Sequence, residues 1–185
     1  MRLTRRSLPL LLAAPLAAPL GARAEAAMWS ALGEGRAAAL MRHAIAPGGG
    51  DPPGFRLGDC ATQRNLSDEG RAQARATGAL FRQNGIAAAT VLSSGWCRCL
   101  ETAALLGLGA VEREPALDSF FADRAEGPAR TEALRALLGA WRGGPLVLVT
   151  HQVNVTALTG IFPASGEAVA VATGANAGVL GRFRA

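Results

Sequence analysis

The chain has two histidines, and each follows a short apolar run: His43 ends "AALMRH" and His151 ends "LVLVTH". Arg42 directly precedes the first, and Arg98 lies in "SSGWCRCLETAA", just after a third run, "ATVLSS". Arginine presents a planar, permanently charged fork to phosphate oxygens. A neutral imidazole can attack phosphorus, and a second imidazolium can donate to an equatorial oxygen. All 19 basic residues are arginine, and there is neither lysine nor tyrosine. A Schiff base and a lysine phosphate ligand are therefore excluded, and an anion site must use arginine, histidine and backbone N–H groups. A lone histidine at a strand end is more often structural than catalytic. It is the joint pattern, two histidines and two arginines at the ends of apolar runs, that points to a phosphoryl group.

These residues need elements to bring them together. "RAAALM" at 36–41 reads as a buried strand, followed by a Gly/Pro-rich loop over 47–58 long enough to act as a lid or binding loop. Ser67 caps a predicted helix with apolar Ala74, Leu80 and Phe81, which stops at Asn84-Gly85. "ATVLSS" is a second strand and leads through Ser94-Gly95 into a helix carrying Arg98. An amphipathic helix over 129–142 presents Leu134, Leu137, Leu138 and Trp141 on one face and stops at Gly143-Gly144-Pro145. "LVLVT" is a third apolar strand, "VNVTALTG" a short helix, and "EAVAVATG" with "AGVLGRFRA" a terminal pair of strands. Alternating strands and helices predict an α/β fold with a mostly parallel sheet covered on both faces. In such sheets ligands bind at the carboxyl ends of the strands, where His43, His151, Arg42 and Arg98 would meet.

The first 24 residues read as an address rather than as part of this domain. They have a basic start, an apolar Leu/Ala stretch broken by Pro9, Pro15 and Pro19, and small residues at Ala22 and Ala24. This predicts a cleaved signal peptide over 1–24, a single domain over 25–185, and a periplasmic or secreted protein with no stable membrane insertion. Losing the four arginines of that segment takes the formal net charge from +5 to about +1, so the basic balance is no argument for nucleic acid. Cys60, Cys97 and Cys99 suit an oxidising compartment, and a bridge from Cys60 to Cys97 or Cys99 leaves one thiol free. Zinc is a competing use of the cysteines and histidines, but no spacing resembles C-x2-C or H-x3-H, and no metal or cofactor is expected.

Four blocks carry a resemblance to the histidine phosphatase superfamily, the phosphoglycerate-mutase-like proteins: "LMRHAIAPG", "NLSDEGRAQA", "LSSGWCRCLETAA" and "LVLVTHQVNVTAL". They occur in family order over about residues 36–160, with Ala44 where the family has a glycine. The resemblance implies a three-layer α/β/α fold and a metal-independent phosphatase acting on a small phosphorylated substrate through a phosphohistidine on His43. Arg42 and Arg98 would clamp the phosphoryl oxygens and His151 would complete the charged pocket. Arg64 and Asn65, ahead of the Ser67 cap, are further candidates for phosphate contact.

The proton donor has no clear match. Where many members carry a glutamate, this chain reads "ALDSFFADRAEG", with Ser119 at the nearest position, and Gln152 stands where others have an aspartate. Asp118, then Asp123, are the candidate acids, with Glu126 more distant. A non-catalytic phosphate-binding protein on the same fold is the alternative.

Overall fold

The computed structural model describes residues 20–175 and 178–185. Eleven principal elements follow along these residues: α1 (Leu20–Gly33), β1 (Ala37–Arg42), α2 (Asp68–Gln83), β2 (Thr90–Ser93), α3 (Cys97–Leu106), β3 (Val111–Arg113), α4 (Gly127–Ala140), β4 (Leu146–Thr150), α5 (Gln152–Thr159), β5 (Ala168–Ala172) and β6 (Val179–Phe183). The strands form one sheet in the order β3-β2-β4-β1-β5-β6. The four strands β3, β2, β4 and β1 run parallel, while β5 and β6 pair as antiparallel neighbours at one side. The expected terminal strand pair is present.

The short apolar strands bury both of their faces, as a covered sheet requires. Ala39 and Met41 join Val147 and Val149 in a cluster with Met28, Trp29, Phe81 and Leu106, beneath α1, α2 and α3. Their alternates Ala38 and Leu40 join Leu146, Leu148, Leu134, Leu138 and Val155 beneath α4 and α5. The result is the three-layer arrangement expected, its middle layer a mixed sheet.

Helix α2 begins where the sequence places it. The Ser67 hydroxyl accepts from the Gly70 N–H at 3.1 Å, and Asp68 and Glu69 lie in the first turn, favourable to the helix dipole. Gly70 is needed for close approach rather than for its dihedrals: a Cβ there would collide with the Ile45 carbonyl oxygen. Two elements differ from the sequence reading. Helix α1 runs through the expected cleavage point after Ala24, its residues 21–27 exposed and Met28 and Trp29 buried. Strand β3 is a three-residue edge strand, too short and too polar, with Glu112 and Arg113 exposed, to show in an apolar pattern. The remainder of the expected signal segment, 1–19, lies outside the described residues. Among the described residues no helix is long and apolar enough to cross a membrane.

Candidate active site

Strand register places the two histidines. In the parallel β1–β4 ladder Arg42 lies opposite Thr150, so His43 and His151 leave the sheet side by side. The ladder extends one bond further, with the His43 N–H donating to the Thr150 carbonyl at 2.9 Å. The imidazole centroids are 5.6 Å apart, and both rings are buried. Strand β2, on the other side of β4, delivers Ser94 and then α3 with Arg98 to the same edge.

A cavity of about 160 Å³ opens at this edge, lined by Arg42, His43, Arg64, Arg98 and His151, with the loop residues Gly48 to Asp51 on one wall. That volume is below the usual range for a drug-sized ligand and suits a phosphoryl-sized group. The expected convergence of His43, His151, Arg42 and Arg98 is therefore present, and Arg64 joins it. Arg64 is held by donation from Nε to the Gly50 carbonyl at 2.9 Å and from Nη1 to the Ala46 carbonyl. Asn65 does not line the cavity. Its amide donates to the Cys60 carbonyl at 2.8 Å, because the chain turns there to bring Ser67 to the start of α2.

The His43 ring is oriented by its own backbone: Nδ1 lies 2.8 Å from the Ala44 carbonyl oxygen, an acceptor, so Nδ1 carries the proton. Nε2 is then the nitrogen with the free lone pair. Burial pushes the imidazole down to about 3, against the Ala44 bond, and the charges of Arg98, Arg64 and Arg42 push it the same way. Ala44, in the family's glycine position, has no positive φ. Its N–H donates to Thr102 Oγ1 at 3.0 Å, so the turn is held without glycine.

His151 is oriented from behind. The Ser94 hydroxyl donates to Asp118 Oδ1 at 3.2 Å and lies 2.8 Å from His151 Nε2, so Nε2 carries the proton and donates to Ser94. Burial, then His43 and the arginines, hold this imidazole well below its ordinary value. Cys99, the free cysteine, packs with Sγ 3.5 Å from the same Nε2. Burial pushes its thiol up to about 12, so it stays protonated and is no nucleophile.

Neither expected acid lines the cavity. Asp118 is buried behind it, accepting from the Gly95 N–H at 2.7 Å and pairing with Arg113 at 2.9 Å. Its backbone carbonyl also accepts from Asn154 Nδ2. These partners pull the carboxylate inward, where it reaches His151 only through Ser94. Asp123 is at the surface, where it caps a short turn by accepting from the Ala125 N–H, and Glu126 is paired with Arg130.

The carboxylate that does line the cavity is Asp51, in the glycine-rich loop, which motif matching does not single out. Oδ1 accepts from Arg98 Nη1 at 2.5 Å and Oδ2 from Arg98 Nη2 at 3.3 Å, a fork-to-fork pairing. Oδ2 also accepts from Trp96 Nε1 at 2.9 Å. Burial pushes the Asp51 carboxyl up, but the hydrogen bonds from Arg98 and Trp96, with the Arg98 charge, outweigh it and hold the group below its ordinary value. Three guanidiniums thus face one carboxylate. Burial, followed by the Arg98 charge, lowers both Arg42 and Arg64, the signature of a cationic cluster short of counter-charge. The Nε atoms of Arg42 and Arg98 are buried with no hydrogen-bond partner.

The segment that follows the loop is tied to α3 as well. A Cys60–Cys97 disulfide joins it to the residue before Arg98, one of the two expected pairings. Gln63 Oε1 also accepts from the Cys97 N–H at 2.9 Å.

A family model described as the histidine phosphatase superfamily (branch 1) matches residues 40–152, which spans β1 through the start of α5 and both histidines. The chain belongs to the histidine phosphatase superfamily. Several solved structures share its fold. The protein histidine phosphatase SixA in complex with tungstate matches with a TM-score of 0.59 and 16% identity over 80% of this chain and 96% of that one. A protein from Thermus thermophilus matches with a TM-score of 0.57 and 24% identity over 80% and 99%. A mycobacterial glucosyl-3-phosphoglycerate phosphatase in complex with VO3 matches with a TM-score of 0.53 and 16% identity over 74% and 92%. No curated protein matches by sequence. Among the described residues of this histidine phosphatase fold, no group of three or more His, Cys, Asp or Glu is arranged to hold a metal ion.

Proposed function

We propose that the mature protein, residues 25–185 after export, is a metal-independent phosphatase that hydrolyses a small phosphomonoester through a phosphohistidine on His43. The observation that carries this reading is the His43 ring itself, with Nδ1–H committed to a carbonyl and Nε2 free inside a cluster of three arginines. Nε2 attacks phosphorus as the ester oxygen leaves, and water then attacks the phosphorus and regenerates the imidazole. Arg42, Arg64 and Arg98 stabilise charge that spreads over the equatorial oxygens, the main contribution in phosphoryl transfer. His151 gains a proton at Nδ1 when a dianion fills the cavity and becomes a donor to it. Its Nε2–H is meanwhile held by Ser94, and through Ser94 by Asp118, which acts as a positioning residue. The tungstate and VO3 held by the two related structures are phosphate mimics, and a cavity of this size and charge suits the same class of ligand.

A phosphate-binding protein without turnover is the second reading, favoured by the lack of an unengaged carboxylate on the cavity wall. Purified protein incubated with aryl and sugar phosphates, with and without EDTA, beside a His43→Ala variant, separates the two. Turnover that survives EDTA and is lost in the variant, with an acid-labile phosphoryl label on His43, supports the enzyme. Phosphate affinity without turnover supports the binder.

A further inference from the structure

The cavity has room for a phosphoryl group and little else, so the rest of a substrate must lie outside it. A groove of about 380 Å³ adjoins it and shares Gly50, Asp51, Ser119 and Phe121 with its wall. The additional lining is apolar and aromatic: Pro52, Phe55, Trp96 and Ala122. Phe55 stacks on Trp96 with centroids 5.3 Å apart and an interplanar angle of 17°, and Trp96 meets His151 edge-on at 5.1 Å. An array of rings therefore runs from His43 through His151 and Trp96 out to Phe55. Phe121, also on the groove wall, is 52% exposed, with the Arg124 guanidinium 4.9 Å from its ring centroid. With Pro52, Phe55 and Trp96 it forms one contiguous apolar wall beside the cavity, and it is such patches, rather than single exposed residues, that mark ligand grooves.

Resting on the phosphatase reading, we infer that this groove is the leaving-group subsite and that the substrate is an aryl phosphomonoester. The chemistry of the wall agrees with its shape. A general acid is worth about 10²–10⁴ in rate to a poor leaving group. The one carboxylate on the wall, Asp51, accepts from both Arg98 and Trp96 and has no proton to give. A phenol, with a pKa near 10, departs without that help where an alkoxide does not. In the first step the bond from phosphorus to the aryl oxygen breaks, its electron pair leaves on the phenolate, and a bond forms between phosphorus and His43 Nε2. In the second, water adds to phosphorus, the N–P bond breaks, and inorganic phosphate departs; the proton released by water balances the one taken up by the phenolate. The ring of the leaving phenolate lies between Phe121 and the Phe55–Trp96 stack, where offset or edge contacts are favourable.

Two measurements test this on the intact oxidised protein. Steady-state kcat/KM for phenyl phosphate and glycerol 3-phosphate reports the class of ester. Calorimetry with phenylphosphonate and methylphosphonate reports the groove without chemistry. The expected result is at least a hundredfold preference for phenyl phosphate. Phenylphosphonate should bind about tenfold more tightly than methylphosphonate, and Phe121→Ala should remove most of that difference. Comparable kcat/KM for the two esters would overturn the inference, as would equal affinity for the two phosphonates. Turnover of neither ester defeats the phosphatase reading instead, and the phosphonate pair then decides alone whether the groove receives a ring.

Discussion

Substitution of Asp51 by asparagine removes the ligand that holds Arg98 in the free protein. Arg98 is 3% and Asp51 21% exposed at the side chain, and their two parallel contacts engage the same guanidinium face that phosphate oxygens need. Two unit charges about 4 Å apart attract by about 4 kcal/mol at an effective dielectric of 20, most of which is offset by desolvation. The net value of a hydrogen bond to a charged group is about 1.5–3 kcal/mol. Partial exposure of Asp51 puts this pair at the lower end, so phosphate spends about 1.5 kcal/mol displacing it. Asp51→Asn should therefore bind inorganic phosphate about tenfold more tightly. Without phosphate the variant should be less stable by about 2–3 kcal/mol, because buried Arg98 loses its counter-charge. Calorimetric titration with phosphate, and thermal melts with and without it, give both quantities. Displacement of Asp51 also frees Trp96 Nε1, so phosphate should change tryptophan emission in the wild type and much less in the variant. Weaker phosphate binding by Asp51→Asn would refute the argument and make Asp51 a support for Arg98 rather than its competitor.

Reduction of the Cys60–Cys97 bridge, or Cys60→Ser with Cys97→Ser, removes a crosslink spanning 37 residues and should cost about 3–4 kcal/mol of stability by denaturant titration. Since His43 is pushed down to about 3 and His151 is lowered as well, the unfolded chain binds more protons than the folded one below about pH 6.5. Stability should thus fall as pH drops from about 6.5 toward 4, by up to about 1.4 kcal/mol per pH unit for each histidine, and His43→Gln should halve the slope of the urea midpoint against pH. Ser94→Ala breaks the link from Asp118 to His151 and should lower kcat by about tenfold or more while leaving the fold intact by circular dichroism. Gly70→Ala drives a Cβ into the Ile45 carbonyl oxygen and should cost about 2–3 kcal/mol in thermal unfolding.

The parts of the site that ride on strands are legible in the order of the residues. "AALMRH" and "LVLVTH" are fully apolar runs up to their last few residues, and a covered parallel sheet brings the ends of such runs to one edge. Ser67 and Asn84-Gly85 bracket α2 because capping chemistry is local to a few residues. The carboxylates are another matter. Asp118 resembles a pocket acid in sequence, but its fate depends on Arg113 from β3 and on the Gly95 N–H, contacts over distances a motif does not encode. Asp51 lies in an aperiodic Gly/Pro loop, and only the three-dimensional return of that loop to Arg98 gives it a role. Asn65, one residue from Arg64, faces away because the turn into α2 rotates it toward Cys60. Ser94 falls inside a matched block, yet its hydroxyl gains meaning only from the two groups it joins.

The one-residue extension of the β1–β4 ladder, from the His43 N–H to Thr150, has a bearing on how this protein can change over evolutionary time. The spacing of the two imidazoles is inherited from backbone pairing, whereas most of the aromatic groove is carried by the two segments around Asp51 and Phe121. Insertions or replacements in those segments can exchange one leaving group for another while the reacting nitrogen keeps its place. Descendants of such a chain would diverge in diet before they diverged in chemistry.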